Sequence, residues 1–311
     1  MSEYGFQSLP DMQSIKKFTL PHDWDFESDV LLSHQRSGYG NSRIIDYMEK
    51  LYPVPDDFEQ LVYVGQIMQA EAIKTAILAH RANKPHCMGT LYWQLNDCWP
   101  AASWSSMDYY TSWKALQYFV KKANAPVSVS FWPDEQELRV ILNSDLSSNL
   151  DATVKYYIND FQGNILDEGN IPAQLTKERG NEIISFKRDS LQELYALNEI
   201  YLDVKLIHKN KLMGGDHYFF ESPKNLVLPN TRISTTAREQ AGKLTIDLSS
   251  DKLVKNLYLW IDESDARFSD NYFDLLPGKK YTVSVNMDKD RSLNVNDIHM
   301  LSLNEVMNHE K

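Results

Sequence analysis

The spacing of apolar positions changes near residue 124, from mixed patterns before it to a period of two after it. Apolar side chains recur at helical spacing from Pro55, which predicts a long helix that ends near Asn83. A second helix is predicted over residues 112–124, with lysines in its last turn. Between these helices, the apolar run CMGTLYWQLN, which begins at Cys87, predicts a buried strand followed by a loop.

The chain before the long helix gives weaker signals. Ser8 and Asp11 have the spacing of an N-cap and its capping-box acid, which predicts a short helix through Phe18. Residues 21–52 are rich in His, Asp, Ser and Gly and predict a long irregular segment. Structureless segments of this length are uncommon in compact domains and often bind ligands.

Residues 125–311 read as two series of short strands that meet near Ser222-Pro223. Each series has about six strands, as in sandwiches of the immunoglobulin type. Pro277-Gly278 has the sequence of a type II turn. The predicted strands are VSVSFW, ELRVILN, ATVKYYI, EIISFKR, EIYLDVKLI and HYFFE, then TRISTTA, KLTIDL, NLYLWID, NYFDLL, YTVSVN and IHMLSL.

The lengths of these segments indicate which domains they form. The first 124 residues hold at most two βα units, whereas a closed (β/α)₈ barrel takes about 250 residues. A parallel sheet of two strands would have unpaired edges. We therefore predict an α/β plus all-β fold: the C-terminal part of a (β/α)₈ barrel over residues 1–124, then immunoglobulin-like sandwiches over 125–222 and 223–311.

Composition excludes several classes of protein. A net charge of −11 argues against a nucleic-acid partner, which needs clustered Lys and Arg. The sequence has no apolar run of the roughly 20 residues that span a bilayer, so no membrane partner is predicted. Cys87 and Cys98 are too few for a disulfide framework or a four-cysteine metal site, and we expect both to be buried free thiols.

Three motifs in order carry a family resemblance: SEYGFQS from Ser2, YWQLNDCWP from Tyr92 and NYFDLLPG from Asn271. Together with HQR at residues 34–36, they make the whole chain resemble the C-terminal portion of β-mannosidases of glycoside hydrolase family 2. WQLND followed by Cys-Trp-Pro favours that branch over the β-galactosidases and β-glucuronidases, which share the first motif. The resemblance implies that the motifs SEYG and WQLN lie at barrel strands 7 and 8.

The resemblance also implies a retaining mechanism, in which two carboxylates lie about 5–5.5 Å apart. Glu3 corresponds to the nucleophile. The acid/base is a glutamate of an Asn-Glu pair in barrel strand 4, and we expect it upstream of Met1. The later Asn-Glu pairs lie in the predicted sandwiches, at residues 181–182, 198–199 and 304–305. The chain alone is therefore expected to be a fragment of an exo-β-mannosidase with little or no activity.

Further site residues follow from the same motifs. Trp93 is expected to face the sugar, and Asn96 and Asp97 follow it at the catalytic face of the barrel. Trp99, His34 and Gln35 are further candidates for contact with a β-mannoside oligosaccharide or glycan. No cofactor or metal is expected, and family habit implies a periplasmic or secreted bacterial protein.

Two other interpretations stay open. The chain could belong to the β-galactosidase or β-glucuronidase branch, or it could be a non-catalytic β-sandwich module for binding or scaffolding. In the β-mannosidase interpretation the sandwiches are expected to be structural and to pack on the barrel, with Trp132 and Trp260 in their cores. We also expect the partial barrel to be loosely held or to self-associate, because it would expose apolar surface and unpaired backbone groups.

Overall fold

The computed structural model describes residues 1–177, 179–240, 243–262, 266–286 and 295–309. Contacts divide the chain into two compact units. The first unit comprises Met1–Gly5, Glu71–Trp93 and Phe119–Val227, and the second comprises Phe6–Ala70, Gln94–Tyr118 and Leu228–Lys311.

Seven α-helices lie in the described residues, and the long predicted one is confirmed as α4. The helices are α1 Met12–Ile15, α2 Asp29–Ser33, α3 Gly40–Leu51, α4 Phe58–Ala82, α5 Ala115–Ala123, α6 Arg188–Leu194 and α7 Leu303–His309. Single 3₁₀ turns occupy Pro21–Asp23, Pro223–Asn225 and Val295–Asp297. None of the described helices combines the length and apolar character that a membrane crossing requires.

The strands begin after residue 126, as the change of period predicts. They are β1 Val127–Pro133, β2 Glu137–Ser144, β3 Leu150–Asp160, β4 Ile165–Leu175, β5 Asn181–Lys187, β6 Ile200–His208, β7 Lys211–Phe219, β8 Ser234–Gln240, β9 Lys243–Ser249, β10 Val254–Ile261, β11 Phe273–Leu275, β12 Lys280–Asn286 and β13 Ile298–Leu301.

The strands of the first unit form two antiparallel sheets, with the orders β1-β2-β5 and β4-β3-β6-β7. Their inner faces bury one apolar core that includes Val140, Val154 and Val204. Alternate residues along β2 supply this core, which is why a period of two identified the strand.

The strands of the second unit form sheets of order β12-β9-β8 and β11-β10-β13, all antiparallel, around a core that includes Ile246 and Leu257. The predicted type II turn is confirmed: the Lys279 N–H donates to the Leu276 carbonyl oxygen at 3.1 Å, and Gly278 has φ +66°. Two β-sandwiches are thus confirmed.

Residues 21–52 are not irregular, and that prediction is wrong. Helices α2 and α3 occupy much of this segment. Ile44 and Met48, four residues apart, are buried on one face of α3 and supply the apolar contacts that fix it. Their signal was hidden by the Gly, Asn and Ser residues around them.

The start of the chain also differs from the prediction. The N-cap of α1 is Asp11 rather than Ser8, and its carboxylate accepts a hydrogen bond from the Ser14 N–H at 2.8 Å. The helix ends at Ile15, not at Phe18. Likewise, α5 begins at Ala115, three residues later than predicted.

The burial predicted for four residues is wrong. Cys98 is exposed and Cys87 is half-buried, so neither is a core thiol. Trp132 is exposed near the end of β1, and Trp260 is half-buried on β10. Successive side chains of a strand point to opposite faces of the sheet. Phe131 and Leu259 contribute to the cores, so Trp132 and Trp260 beside them point away from the cores.

The predicted strand at residues 87–96 does not form a β-ladder in the described part of the chain. The segment has no regular partner along its length, and it makes single backbone hydrogen bonds instead. The barrel part of the predicted fold therefore stays a prediction.

Candidate active site

The segment that carries Glu3 lies beside the segment that carries Trp93, within the first unit. The Leu91 N–H donates to the Met1 carbonyl oxygen at 3.2 Å, and the Trp93 N–H donates to the Tyr4 carbonyl oxygen at 2.7 Å. Residue numbers rise together in the two contacts, so the segments run in the same direction. Two neighbouring parallel segments are what adjacent barrel strands require.

Glu3 and Trp93 are both open to solvent. Glu3 is exposed, and Trp93 keeps 49% of its surface accessible. An exposed carboxylate can act as a nucleophile once a substrate reaches it, and an exposed indole can stack on a sugar ring. The geometry therefore allows the roles that the sequence predicts for these two residues.

Tyr4, next to Glu3, is fixed by a short chain of polar contacts. Its hydroxyl lies 2.6 Å from Thr90 Oγ1, which lies 2.8 Å from His80 Nδ1. The rings of Tyr4 and His80 also meet edge to face, with 5.1 Å between centroids. Burial lowers the pKa of His80, so the neutral ring is favoured. These contacts hold the residue after Glu3 to α4 and to the segment that follows α4.

In the second unit, Asp97 is held by two donors. Gln94 Nε2 donates to one carboxylate oxygen at 2.9 Å, and Ser103 Oγ donates to the other at 2.6 Å. Asp97 is half-buried, whereas Asn96 is exposed. The Asp97 side chain is therefore fixed in place, and Asn96 remains accessible.

His34 and Trp99 are brought together in a stack of planar groups. The His34 ring lies between Phe18 and Trp99, with centroid distances of 4.5 and 4.9 Å, and the Arg36 guanidinium lies 5.5 Å from the Trp99 ring. His34 Nδ1 is 2.6 Å from the Pro100 carbonyl oxygen. The stack joins the loop after α2 to the loop after the WQLND motif.

Gln35 has most of its hydrogen-bonding capacity occupied. Its carbonyl oxygen accepts from Gln7 Nε2 at 2.9 Å and from the Ser37 N–H at 3.0 Å, and its amide donates to Asn41. A Cβ on Gly40 would lie 2.3 Å from the Gln35 Cδ, so a larger residue there would require the Gln35 side chain to move. Gln35 therefore fixes the start of α3, with one amide hydrogen left for other contacts.

Lys114 is a residue that sequence reasoning missed. Its side chain is almost fully buried, and its ammonium donates to the carbonyl oxygens of Ser8 at 3.2 Å and Ser103 at 3.5 Å. The same two residues exchange backbone hydrogen bonds of 3.0 and 3.2 Å. Lys114 thus joins the end of the SEYGFQS motif to the loop after WQLND.

Burial lowers the pKa of Lys114 to about 7, although the carboxylates of Asp97, Asp108 and Asp11 oppose this. Burial also raises the pKa of Asp11 to about 6, with the nearby Asp108 acting in the same direction. Nothing in the local sequence pattern distinguishes a buried lysine at the start of a helix from an exposed one, so tertiary packing alone reveals this cluster.

No group of three or more His, Cys, Asp or Glu side chains in the described residues is arranged to hold a metal ion. The polar side chains near the two motifs include amides, hydroxyls and separate carboxylates. Such a set is suited to binding sugar hydroxyls, which both donate and accept hydrogen bonds.

Comparison with known families matches both sandwiches. Residues 136–225 match the mannosidase Ig/CBM-like domain, and residues 228–306 match the Ig-fold domain of mannosidases. Both predicted sandwiches thus match immunoglobulin-like domains of the mannosidase type.

Curated relatives extend the similarity to the residues before the sandwiches. The chain is 29% identical to the β-mannosidase of Capra hircus over 303 residues, which is 91% of this chain and 34% of that protein. It is 28% identical to the Bos taurus β-mannosidase over 305 residues, with the same coverage. The chain thus spans about a third of the length of these relatives.

Solved structures show the same relationship. The crystal structure of the β-D-mannosidase from Dictyoglomus thermophilum matches with a TM-score of 0.86 and 27% identity, covering 97% of this chain and 37% of that one. The exo-chitosanase CsxA of Amycolatopsis orientalis has a TM-score of 0.73 at 16% identity, which shows a shared fold. The predicted resemblance to family 2 β-mannosidases is confirmed.

Proposed function

We propose that this chain, which resembles the C-terminal portion of family 2 β-mannosidases, supplies the nucleophile of a retaining exo-β-mannosidase. The observation that carries the proposal is the similarity to β-mannosidases over 91% of the chain, together with the SEYG motif around Glu3. The reaction is removal of a terminal β-D-mannosyl residue from an oligosaccharide or glycan by double displacement.

In the first step, a Glu3 carboxylate oxygen forms a bond to the anomeric carbon while the bond from that carbon to the glycosidic oxygen breaks. A second carboxylic acid gives its proton to the departing oxygen. In the second step, that group removes a proton from water, and the water oxygen displaces Glu3. Two displacements restore the β configuration.

The second carboxyl group is proposed to lie outside residues 1–311. The Asn-Glu pairs within the chain lie at the start of β5, just before β6 and in α7. These positions belong to the sandwiches, whereas the acid/base must face Glu3 across a barrel mouth. Since general acid catalysis contributes typically 10²–10⁴-fold, residues 1–311 alone are expected to hydrolyse mannosides poorly.

The remaining candidates are assigned to sugar contact. Trp93 offers an exposed ring beside the Glu3 segment, and the accessible Asn96 amide can bind a hydroxyl. Asp97 is already oriented by Gln94 and Ser103, and His34 and Trp99 stack on each other. Gln35 supports the loop that carries His34 and offers one amide hydrogen to the sugar.

At domain scale, we propose that residues 1–124 are the end of a catalytic barrel and that residues 125–222 and 223–311 are supporting sandwiches. The parallel contacts between the Glu3 and Trp93 segments support the barrel assignment. A periplasmic or secreted location remains part of the proposal.

A chimeric enzyme tests the proposal. Residues 1–311 would replace the matching 37% of the Dictyoglomus thermophilum β-mannosidase, which restores the missing part of the barrel. We expect the chimera to hydrolyse an aryl β-mannoside, and Glu3→Ala to abolish this. Azide should restore the activity of Glu3→Ala and form α-mannosyl azide. It would occupy the space left by the missing carboxylate and attack the anomeric carbon from the same face of the sugar. Glu27→Ala, at another exposed glutamate, is the matched control.

The same chimera separates the alternatives. Faster cleavage of the aryl β-galactoside or β-glucuronide than of the mannoside would favour those branches. An active chimera whose Glu3→Ala variant kept full activity would contradict the assignment of the nucleophile. A folded chimera that hydrolysed none of the three glycosides would favour the non-catalytic module.

A further inference from the structure

The described part of the second unit contains a cleft. None of the candidate active-site residues lines this cleft. Its walls are the start of α1, residues 110–113, β10 and residues 266–271. It holds about 570 Å³ of space, including its open mouth. An adjoining pocket of about 420 Å³, counted in the same way, shares Asp11, Gln13 and two aromatic rings of β10 with it.

Aromatic side chains form much of the cleft wall, namely Tyr110, Trp113, Tyr118, Tyr258 and Trp260. Tyr258 and Trp260 stack on each other, with 5.0 Å between centroids. Trp113 meets Tyr118 edge to face at 5.2 Å, and the Arg267 guanidinium lies 4.8 Å from the Trp113 ring. The indole of Trp113 is half-buried and lines the cleft, with the Arg267 guanidinium over its ring.

Hydrogen-bonding groups of both kinds line the same cleft. Asp11 uses one carboxylate oxygen to cap α1, which leaves the second oxygen able to accept. Gln13 donates to Asp262 at 3.0 Å, and its carbonyl oxygen has no partner among the described residues. Arg267 donates one bond, at 3.1 Å, to the Thr111 carbonyl oxygen and has further N–H groups available. The exposed Arg267 can therefore bind a ligand without losing a buried contact.

This mixture of groups discriminates between ligand classes. The carboxylate of Asp11 disfavours an anion, and Arg267 disfavours a cation. A neutral ligand with many hydroxyl groups satisfies both acceptors and donors, because each hydroxyl can do both. Its C–H faces would pack on Trp113.

We infer that this cleft binds a neutral oligosaccharide of β-linked mannose, as a second site that holds the substrate chain by contacts with Trp113, Arg267 and Asp11. The sugar class follows from the lining groups, and its identity as mannose rests on the proposed function. The site would raise the local concentration of substrate without taking part in bond cleavage.

Titration of residues 1–311 with β-1,4-mannotriose, followed by NMR and calorimetry, tests the inference. We expect saturable binding with shifts at the Trp113 indole, and at least about tenfold weaker binding in Arg267→Ala and Gln13→Ala. Both substitutions are on accessible side chains and should leave the fold intact. Trp132→Ala, at an exposed tryptophan of the first unit, is the matched control and should bind normally.

Glu3→Gln distinguishes this inference from the proposed function. If the cleft is the site, Glu3→Gln binds mannotriose as the native chain does, whether or not the chimera hydrolyses mannosides. No saturable binding, or binding that Glu3→Gln abolishes while Arg267→Ala and Gln13→Ala do not change it, would overturn the inference.

Discussion

Lys114 shows how a single residue can make stability depend on pH. Its pKa in the folded chain is lowered by burial to about 7, from 10.5 when exposed. A lowered pKa means that the unfolded chain binds more protons between pH 7 and 10.5, so stability rises with pH over that window. Asp11 acts in the opposite sense: its pKa is raised to about 6, so its contribution is lost as pH rises from about 4 to 6.

We predict that Lys114→Met removes the rise in stability above pH 7. The native chain should gain thermal stability between pH 7 and 9.5, since deprotonation relieves a buried charge, whereas Lys114→Met should not. Differential scanning calorimetry of both proteins at these pH values measures the difference. Lys187→Met, at an exposed lysine, should keep the native slope. Equal slopes for native chain and Lys114→Met would contradict the role given to this ammonium.

For single residues, the sequence motifs predict which segments are neighbours better than they predict the contacts and burial of each side chain. The segments around Glu3 and Trp93 do lie side by side, as the motifs imply. The hydrogen bonds that occupy the Gln35 side chain could not be predicted, because its partners come from other elements of the fold. Trp260 was wrongly placed in the core because parity along a strand does not say which face is buried.

Among the elements of the fold, the turn at Pro277-Gly278 depends most directly on a single residue type, because it uses a backbone conformation that favours glycine. Gly278 has φ +66°, and a Cβ there would meet no atom within 4 Å. Any cost of a side chain at this position therefore comes from the backbone conformation alone.

We predict that Gly278→Ala lowers the free energy of unfolding by about 1 kcal/mol, because alanine disfavours a left-handed conformation. Gly38→Ala is the matched control, since Gly38 also has open space around it but no positive φ. It should stay within about 0.5 kcal/mol of the native chain. Urea unfolding of the three proteins measures both values, and equal effects of the two substitutions would contradict the argument.

The elements that sequence reasoning missed share a physical cause. β4 is an edge strand, mostly exposed over its first half, with charged residues and Pro172, so it lacks the alternation of a half-buried strand. The short apolar face of α3 lies among residues typical of loops. In both cases tertiary contacts decide the structure, and local propensity is weak.

At the scale of the molecule, the segment between α4 and α5 exposes more apolar surface than a stable surface usually does. Met88, Leu91, Trp93 and Leu95 keep 68, 66, 49 and 56% of their surfaces accessible. Such exposure marks a surface that another chain or another part of the same protein covers. It fits the proposal that residues 1–124 are part of a larger barrel.

We predict that residues 1–311 self-associate through this segment at concentrations of about 10–100 µM. Leu91→Asp should reduce the association, because it places a charge on the apolar surface. Leu194→Asp, at an equally exposed leucine of α6, should not. Sedimentation velocity measures the difference. A native chain that stays monomeric at these concentrations, or equal effects of the two substitutions, would contradict self-association through the segment between α4 and α5.

The central claim is that Glu3 is the nucleophile of a retaining β-mannosidase, and covalent labelling tests it most directly. The chimera would be incubated with 2-deoxy-2-fluoro-β-mannosyl fluoride, whose good leaving group allows the first step and whose fluorine slows the second. Peptide mass spectrometry then locates the sugar. We predict a stoichiometric label on Glu3, in the peptide that carries the SEYG motif. A stoichiometric label on any other carboxylate would contradict it.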